Sequence, residues 1–291
     1  MELITKVTVA EPAKRLTYRS GILMAGSCFA DEVGNLLKMY GFNVCVNPFG
    51  TLYNPVSVIN SLSRLSSPSP FMQEDIICTG PRNAPVPLFC SFWHHSRFAR
   101  TAAQDFLDNA NERLKDAAQF FKEADTVIMT LGTAWVFRHI PTGKIVSNCH
   151  KIDPGEFRRE FLQTEEIFRL LENFITRYPD KEFILTVSPI RHLKDGAHGN
   201  NLSKAALLMA IDWLQRKGYG NVSYFPAYEI MLDELRDYRF YAEDMVHPSQ
   251  QAVKYIFERF TESFIAPSEY EQMRLNLKRY KQAAHIPIKR E

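Results

Sequence analysis

No stretch of the 291-residue sequence approaches the roughly 18 consecutive apolar residues that a membrane-spanning helix needs, so no membrane span is expected. The N-terminus lacks a charged segment followed by an apolar core, which argues against a secretory signal and for a cytoplasmic protein. Cysteine is sparse: Cys28, Cys45, Cys78, Cys90 and Cys149 form an odd set without a CxxC pair. Free, mostly buried thiols in a reducing compartment fit that usage. His94-His95 and Cys149-His150 have no third and fourth ligand at suitable spacing, so no metal site is expected. No glycine-rich phosphate loop of the Walker or dinucleotide type occurs, and no cofactor is expected. Charge is nearly balanced, 35 Lys and Arg against 33 Asp and Glu for a net +2, with no basic stripe that would read as a nucleic-acid surface.

What is present is the composition of a soluble globular protein, 45% hydrophobic and 23% charged. Short, nearly all-apolar runs at Gly21–Ala25, Phe42–Val46, Thr126–Leu131, Glu182–Val187 and Val222–Phe225 read as strands. Between them lie segments of helical periodicity: Phe29–Tyr40, a helix opened by Pro55, Ala99–Glu123, Glu165–Tyr178 and Leu202–Lys217. Pro226–Leu235 and Gln250–Phe264 follow, the latter capped by Ser249. Ser66–Arg97 is rich in proline and aromatics without periodicity and reads as an insertion holding short strands near Ile76–Cys78 and Leu88–Phe92. Trp135–Ile140 and Lys144–Val146 read as a hairpin around Pro141-Thr142-Gly143. Strands alternating with helices give an α/β fold with a mostly parallel sheet of five strands. The expected division is a domain over residues 1–265, interrupted at about 66–97, and a C-terminal helical arm and tail over residues 266–291.

The residues of unusual chemistry gather beyond strand ends. Ser27 follows the first strand, and Gly50, Thr133, Arg191-His192 and Asp244/His247 each lie after a later one. All would open on the carboxyl edge of the sheet, where open α/β folds hold their ligands. In Gly26-Ser27-Cys28-Phe29-Ala30 a glycine permits a sharp turn that leaves the serine hydroxyl exposed at a helix N-terminus. The same serine could instead only cap the helix. In Asp244-Met245-Val246-His247 the carboxylate can fold back onto the imidazole Nδ1–H, which fixes the tautomer and frees Nε2 to take a proton from a serine. The bland alternative is a capping aspartate beside a surface histidine.

Gly26-Ser27-Cys28-Phe29-Ala30 resembles the signature that names the GSCFA family, which is similar to the SGNH (GDSL-like) hydrolases. The resemblance continues through Asn47-Pro48-Phe49-Gly50, Gly132-Thr133-Ala134-Trp135, Ser188-Pro189-Ile190-Arg191-His192 and Asp244-Met245-Val246-His247-Pro248. It implies a flavodoxin-like three-layer α/β/α fold with a Ser-His-Asp triad on loops. Ser27 would be the nucleophile, His247 the general base and then acid, and Asp244 the group that orients His247. The amides of Ser27 and Gly50 would hold the oxyanion. Two departures stand out. Ala134 replaces the asparagine of the wider superfamily's Gly-x-Asn-Asp, so that Thr133 would supply the third donor or is only a strand-end turn residue. Gly26 stands where the superfamily places an aspartate.

Trp135, Arg191 and His192 are the candidate substrate-binding residues: Trp135 lines an acyl or sugar pocket or packs under the hairpin, and Arg191 with His192 binds an anionic group or forms an ordinary surface pair. Cys28 beside Ser27 reads as a small buried hydrophobe. The expected activity is a serine esterase or acyl hydrolase acting on an acylated small molecule or glycan. The alternatives are an acyltransferase to a sugar hydroxyl and a non-catalytic binding module on the same fold. Oligomeric state is not legible in the sequence.

Overall fold

The computed structural model of the chain describes residues 4–79 and 86–284. In chain order the strands and α-helices are β1 (Gly21–Gly26), α1 (Cys28–Met39), β2 (Asn43–Val46), α2 (Pro55–Ser66), β3 (Ile77–Thr79), β4 (Leu88–Cys90), α3 (Ala103–Glu123), β5 (Thr126–Leu131) and β6 (Trp135–His139). They continue with β7 (Ile145–Val146), β8 (Phe157–Phe161), α4 (Thr164–Ile175), β9 (Glu182–Val187), α5 (Gly196–Arg216), β10 (Val222–Tyr224), α6 (Ala227–Glu229), α7 (Gln250–Phe264) and α8 (Tyr270–Ala284). A single π-helical turn, Ile230–Glu234, extends α6.

Five strands pair in the order β2-β1-β5-β9-β10, all parallel. That order is the flavodoxin-like one, and its topological switch falls between β1 and β5. Successive side chains of a strand face opposite sides, and both sides are covered here. Ile22, Met24, Ile128 and Ile184 pack with α1, α6, α7 and Met273 of α8. Leu23, Ala25, Val127, Met129, Phe183 and Leu185 pack with α2, α3, α4 and α5. Two covered faces make the three layers. This is the architecture expected from the alternation of strands and helices.

Caps fix the ends of these helices. Ser27, Asn54 and Ser249 each accept a backbone N–H of the helix that follows them. Pro55 begins α2, where a missing N–H costs nothing. Boundaries differ from expectation at two places. α3 starts at Ala103 rather than Ala99, because Arg100 pairs its backbone with Phe89 of β4 before the helix begins. α5 starts at Gly196 rather than Leu202, held at its second turn by the bond between His192 N and Asn200 Oδ1 at 2.9 Å.

Two small sheets sit outside the central one. Within the Ser66–Arg97 insertion β3 and β4 pair antiparallel, with residues 80–85 of that segment outside the described ones. The hairpin of β6 and β7 gains a third strand, β8, whose Phe-Arg-Arg-Glu-Phe sequence carries no apolar run. In α8, Asn276 donates to the Tyr40 carbonyl at 2.8 Å, at the end of α1. The cysteines are less buried than expected: Cys90 is buried, Cys28, Cys45 and Cys149 are partly exposed, and Cys78 is exposed. No helix among the described residues is long and apolar enough to cross a membrane.

Candidate active site

β1 ends in a glycine for a local reason. Gly26 has φ +147°, its N–H donates to Asn47 Oδ1 at 2.8 Å, and its carbonyl accepts Leu52 N at 2.8 Å. A Cβ on this residue would collide with the Thr130 carbonyl of β5. An aspartate therefore has no room at the position where the wider superfamily carries one. The chain turns immediately afterwards into α1, with Ser27 at its cap.

Ser27 is oriented inward. It is 0% exposed, and its Oγ donates to Ser188 Oγ at 2.9 Å while accepting Phe29 N at 3.3 Å. This differs from the exposed hydroxyl expected of a strand-to-helix turn. The reason is the Ser188–His192 turn beyond β9, which lies against the head of α1 and itself buries Ser188.

Asp244 and His247 form a close pair, with Oδ2 and Nδ1 2.6 Å apart. The other carboxylate oxygen accepts the backbone N–H groups of Val246 and His247, both at 2.9 Å. The His247 amide, then its side chain and the Val246 amide, hold the Asp244 carboxyl down to about 2. An ionised Asp244 accepts only, so the facing Nδ1 carries a proton. The loop bends through Met245 at φ +56° and is braced by the bond between Ala242 N and the His247 carbonyl at 2.8 Å. His247 keeps 45% of its side chain exposed. Among the described residues no hydrogen bond joins it to Ser27, whose hydroxyl is partnered by Ser188 and Phe29.

The Ser188–His192 turn links the two halves. Ser188 receives the Ser27 hydroxyl, while Arg191 holds the Asp244–His247 loop: its N–H donates to the Val246 carbonyl and its Nη1 to the Met245 carbonyl, both at 3.1 Å. The guanidinium also lies 5.2 Å from the Tyr241 ring. His192 packs edge-on against Tyr53, and its Nε2 is buried with no partner. Burial, and then the charge of Lys204, push its imidazole down to about 4.

The amides expected to face an oxyanion are engaged in this conformation. Ser27 N donates to the Thr130 carbonyl at 3.1 Å, Gly50 N to the Asn47 carbonyl at 2.8 Å, and Thr133 N to the Tyr53 carbonyl at 3.0 Å. Gly50 has φ +84°, and it is the Cβ of His95 that approaches it too closely for any side chain. The Thr133 hydroxyl accepts Trp135 N at 3.1 Å and meets Ser203 Oγ at 3.0 Å. Cys28, as the first residue of α1, has an amide without an intrahelical acceptor. Its thiol lies 3.6 Å from the Tyr53 hydroxyl, and burial, with Cys28 next, raises the Tyr53 phenol.

Trp135 lies beneath Arg159, whose guanidinium carbon is 4.1 Å from the indole ring, and Arg159 pairs with Asp195. Beside the catalytic-loop candidate, a pocket of about 300 Å³ is lined by Arg191, Asn200, Asn201, Tyr228, Tyr238 and Tyr241 among others; neither Ser27 nor His247 is in its wall.

Three polar residues of α5, which sequence reasoning passed over, complete the arrangement. Asn200 holds His192, Ser203 Oγ accepts Ala134 N at 2.7 Å, and Lys204 donates to the Gly132 and Ser188 carbonyls at 2.7 and 2.8 Å. A signal existed: Leu207, Ile211 and Leu214 form the buried stripe of α5, and the same helical spacing carried back places Lys204 and Ser203 on that face. Among the described residues, no group of three or more His, Cys, Asp and Glu side chains converges as metal ligands would.

Residues 21–260 match the model of the GSCFA family. No curated protein sequence matches the chain. Solved structures with some likeness include a protein provisionally described as a platelet activating factor from Streptococcus pneumonia, at 12% identity and TM-score 0.42, covering 84% of this chain and 88% of that one. A protein of Bacteroides fragilis, provisionally described as an acylhydrolase, has 9% identity and TM-score 0.40 over 87% of each chain. A family two carbohydrate esterase from Clostridium thermocellum, in complex with cellohexaose, has 14% identity and TM-score 0.35 over 88% of this chain and 65% of that one.

Proposed function

The chain belongs to the GSCFA family, and from that premise we propose that it is a serine esterase or acyl hydrolase acting on an acylated small molecule or glycan. One observation supports the reading. The turn that holds the Ser27 hydroxyl through Ser188 also holds the Asp244–His247 loop through Arg191, so the proposed nucleophile and base would share one support.

The chemistry follows from those atoms. Ser27 turns its hydroxyl from Ser188 toward His247, and Oγ attacks the ester carbonyl carbon while its proton passes to Nε2. Asp244 stays ionised and stabilises the imidazolium that results. The tetrahedral intermediate collapses by expelling the alcohol, which takes the proton from Nε2, and leaves an acyl group on Ser27. Water activated by Nε2 then releases the carboxylic acid and restores the serine. The apo geometry of a hydrolase need not hold its serine and base in contact. The test is hydrolysis of p-nitrophenyl esters of graded chain length by the wild type and by Ser27→Ala; equal rates in the two proteins reject the assignment.

A second reading, a non-catalytic binding module, is favoured by the engagement of Ser27 N, Gly50 N and Thr133 N with carbonyl groups of the protein itself. A fluorophosphonate separates the two, because it labels only an activated serine. Absence of label on Ser27 supports the module.

A further inference from the structure

We propose that Lys204 is a positioning residue for the serine chemistry: its Nζ ties the turn after β5 to the turn after β9 and so holds Ser188 against Ser27. The inference rests on the hydrolase reading and adds to it a group outside the triad.

Lysine is seldom fully buried without a charged partner. Lys204 is 1% exposed, and among the described residues no carboxylate pairs with it. Its hydrogen bonds run instead to two main-chain carbonyls, Gly132 at 2.7 Å and Ser188 at 2.8 Å, and the Tyr228 ring lies 5.6 Å from Nζ. Burying this amine is costly, and burial pushes it down to about 7; a methionine would fill the same volume without that cost. The position of the acceptors gives its N–H donors a use. Gly132 and Ser188 immediately follow β5 and β9, which are neighbours in the sheet, so one Nζ bridges two adjacent turns on the carboxyl edge.

Each bridged turn leads to the candidate site. Ser188 accepts the Ser27 hydroxyl, and three residues further its turn reaches Arg191 and the His247 loop. Gly132 donates its N–H to the Tyr53 carbonyl at 2.7 Å, which fixes the neighbouring Thr133. Asn200 and Ser203, at i−4 and i−1 of Lys204 on the same inward face, hold His192 and Ala134 of the same two turns. Three adjacent polar side chains of one helix thus brace two loops at four points. Lys204 is the member that reaches both. A small displacement of a reacting oxygen is enough to cost a large factor in rate.

The experiment uses the full chain and p-nitrophenyl acetate, with wild type and Ser27→Ala as references. Lys204→Met is expected to lower kcat roughly 10- to 100-fold with KM little changed. Lys204→Ala is expected to fall similarly and to recover part of its kcat in propylammonium chloride, which restores the missing donor, but not in tetramethylammonium chloride, which has no N–H. A Lys204→Met protein with wild-type kcat overturns the inference. So does a folded Lys204→Ala protein indifferent to propylammonium, or failure of both variants to fold with and without the amine, which would make the lysine structural only. If instead wild type and Ser27→Ala hydrolyse the ester equally, it is the hydrolase reading that fails.

Discussion

The Ser27 hydroxyl donates to Ser188 Oγ across 2.9 Å, and the Ser188 oxygen also accepts Ile190 N at 3.3 Å. Both serines are fully buried. Ser188 thereby sets where the Ser27 oxygen waits, at the head of α1, while the Asp244–His247 pair stands on a loop fastened to the same turn. The nucleophile and base of the proposed reaction communicate through that turn.

Ser188→Ala removes the acceptor of the Ser27 proton and leaves the Ile190 amide unpaired. A buried unpaired donor costs about 1–3 kcal/mol, so denaturant unfolding should show a loss in that range. Ester hydrolysis should fall by roughly ten-fold in kcat as the serine oxygen loses its fixed place. Wild-type kcat in a destabilised protein would confine Ser188 to a structural role.

Asp244→Asn keeps the shape of the loop but lets the side chain donate, which favours the wrong tautomer of His247. A decrease in kcat on the order of 10³-fold or more is expected, with fold and melting temperature close to wild type. Steady-state kinetics beside thermal melts decide it. A variant within a few-fold of wild type would remove Asp244 from the mechanism.

The Arg191 side chain holds the Met245 carbonyl, while its bond to Val246 is made by the backbone N–H and survives substitution, so replacing the guanidinium should loosen the loop of the base rather than weaken substrate binding. Arg191→Met is expected to lower kcat by roughly ten-fold with KM nearly unchanged. A rise in KM at constant kcat, greatest for anionic substrates, would instead make Arg191 a substrate ligand.

Acid stability should depend on buried imidazoles. Burial pushes His94 down to about 3 and His192 to about 4, from an ordinary value of 6.5. Both are therefore neutral in the folded protein when the unfolded chain begins to take up protons. Between pH 6.5 and about 4 the unfolded state binds more protons, so stability is present above that window and is lost as pH falls through it. His94, boxed by Phe49, Phe71, Phe98 and Phe106, is the clearer case. Urea unfolding of His94→Phe at pH 7, 5.5 and 4.5 should show a shallower slope than wild type, by up to about 1.4 kcal/mol per pH unit. An unchanged slope would clear His94 of the effect.

The sheet was legible in the sequence because its strands are continuous apolar runs that tolerate no other placement, as Thr126–Leu131 illustrates. Pro55 and Ser249 marked helix ends through local chemistry that tertiary packing did not override. β8 was not legible: Arg158, Arg159 and Glu160 run consecutively between two phenylalanines, without the alternation of a half-buried strand, and its partner β6 lies about 20 residues away in the chain. The start of α5 was hidden by Gly196 and Gly199, which read as a loop until Asn200 anchors the turn to His192. Lys204 carried no signal in the motifs and drew no reading. Motif spacing could place Ser27, Asp244 and His247 beyond strand ends, yet the inward orientation of Ser27 depends on Ser188, 161 residues away in the chain.

The two ends of the proposed proton transfer face different surroundings: Ser27 has no solvent exposure and His247 has 45%. Reagents should therefore meet them under different kinetic laws. Diethyl pyrocarbonate, which modifies imidazole, finds His247 open at every moment, and its rate should rise in proportion to its concentration. A serine-directed phosphonate must wait for the turn at Ser188 to let the hydroxyl out. Its labelling rate should level off at high concentration, and the plateau is the frequency at which this protein opens its own site.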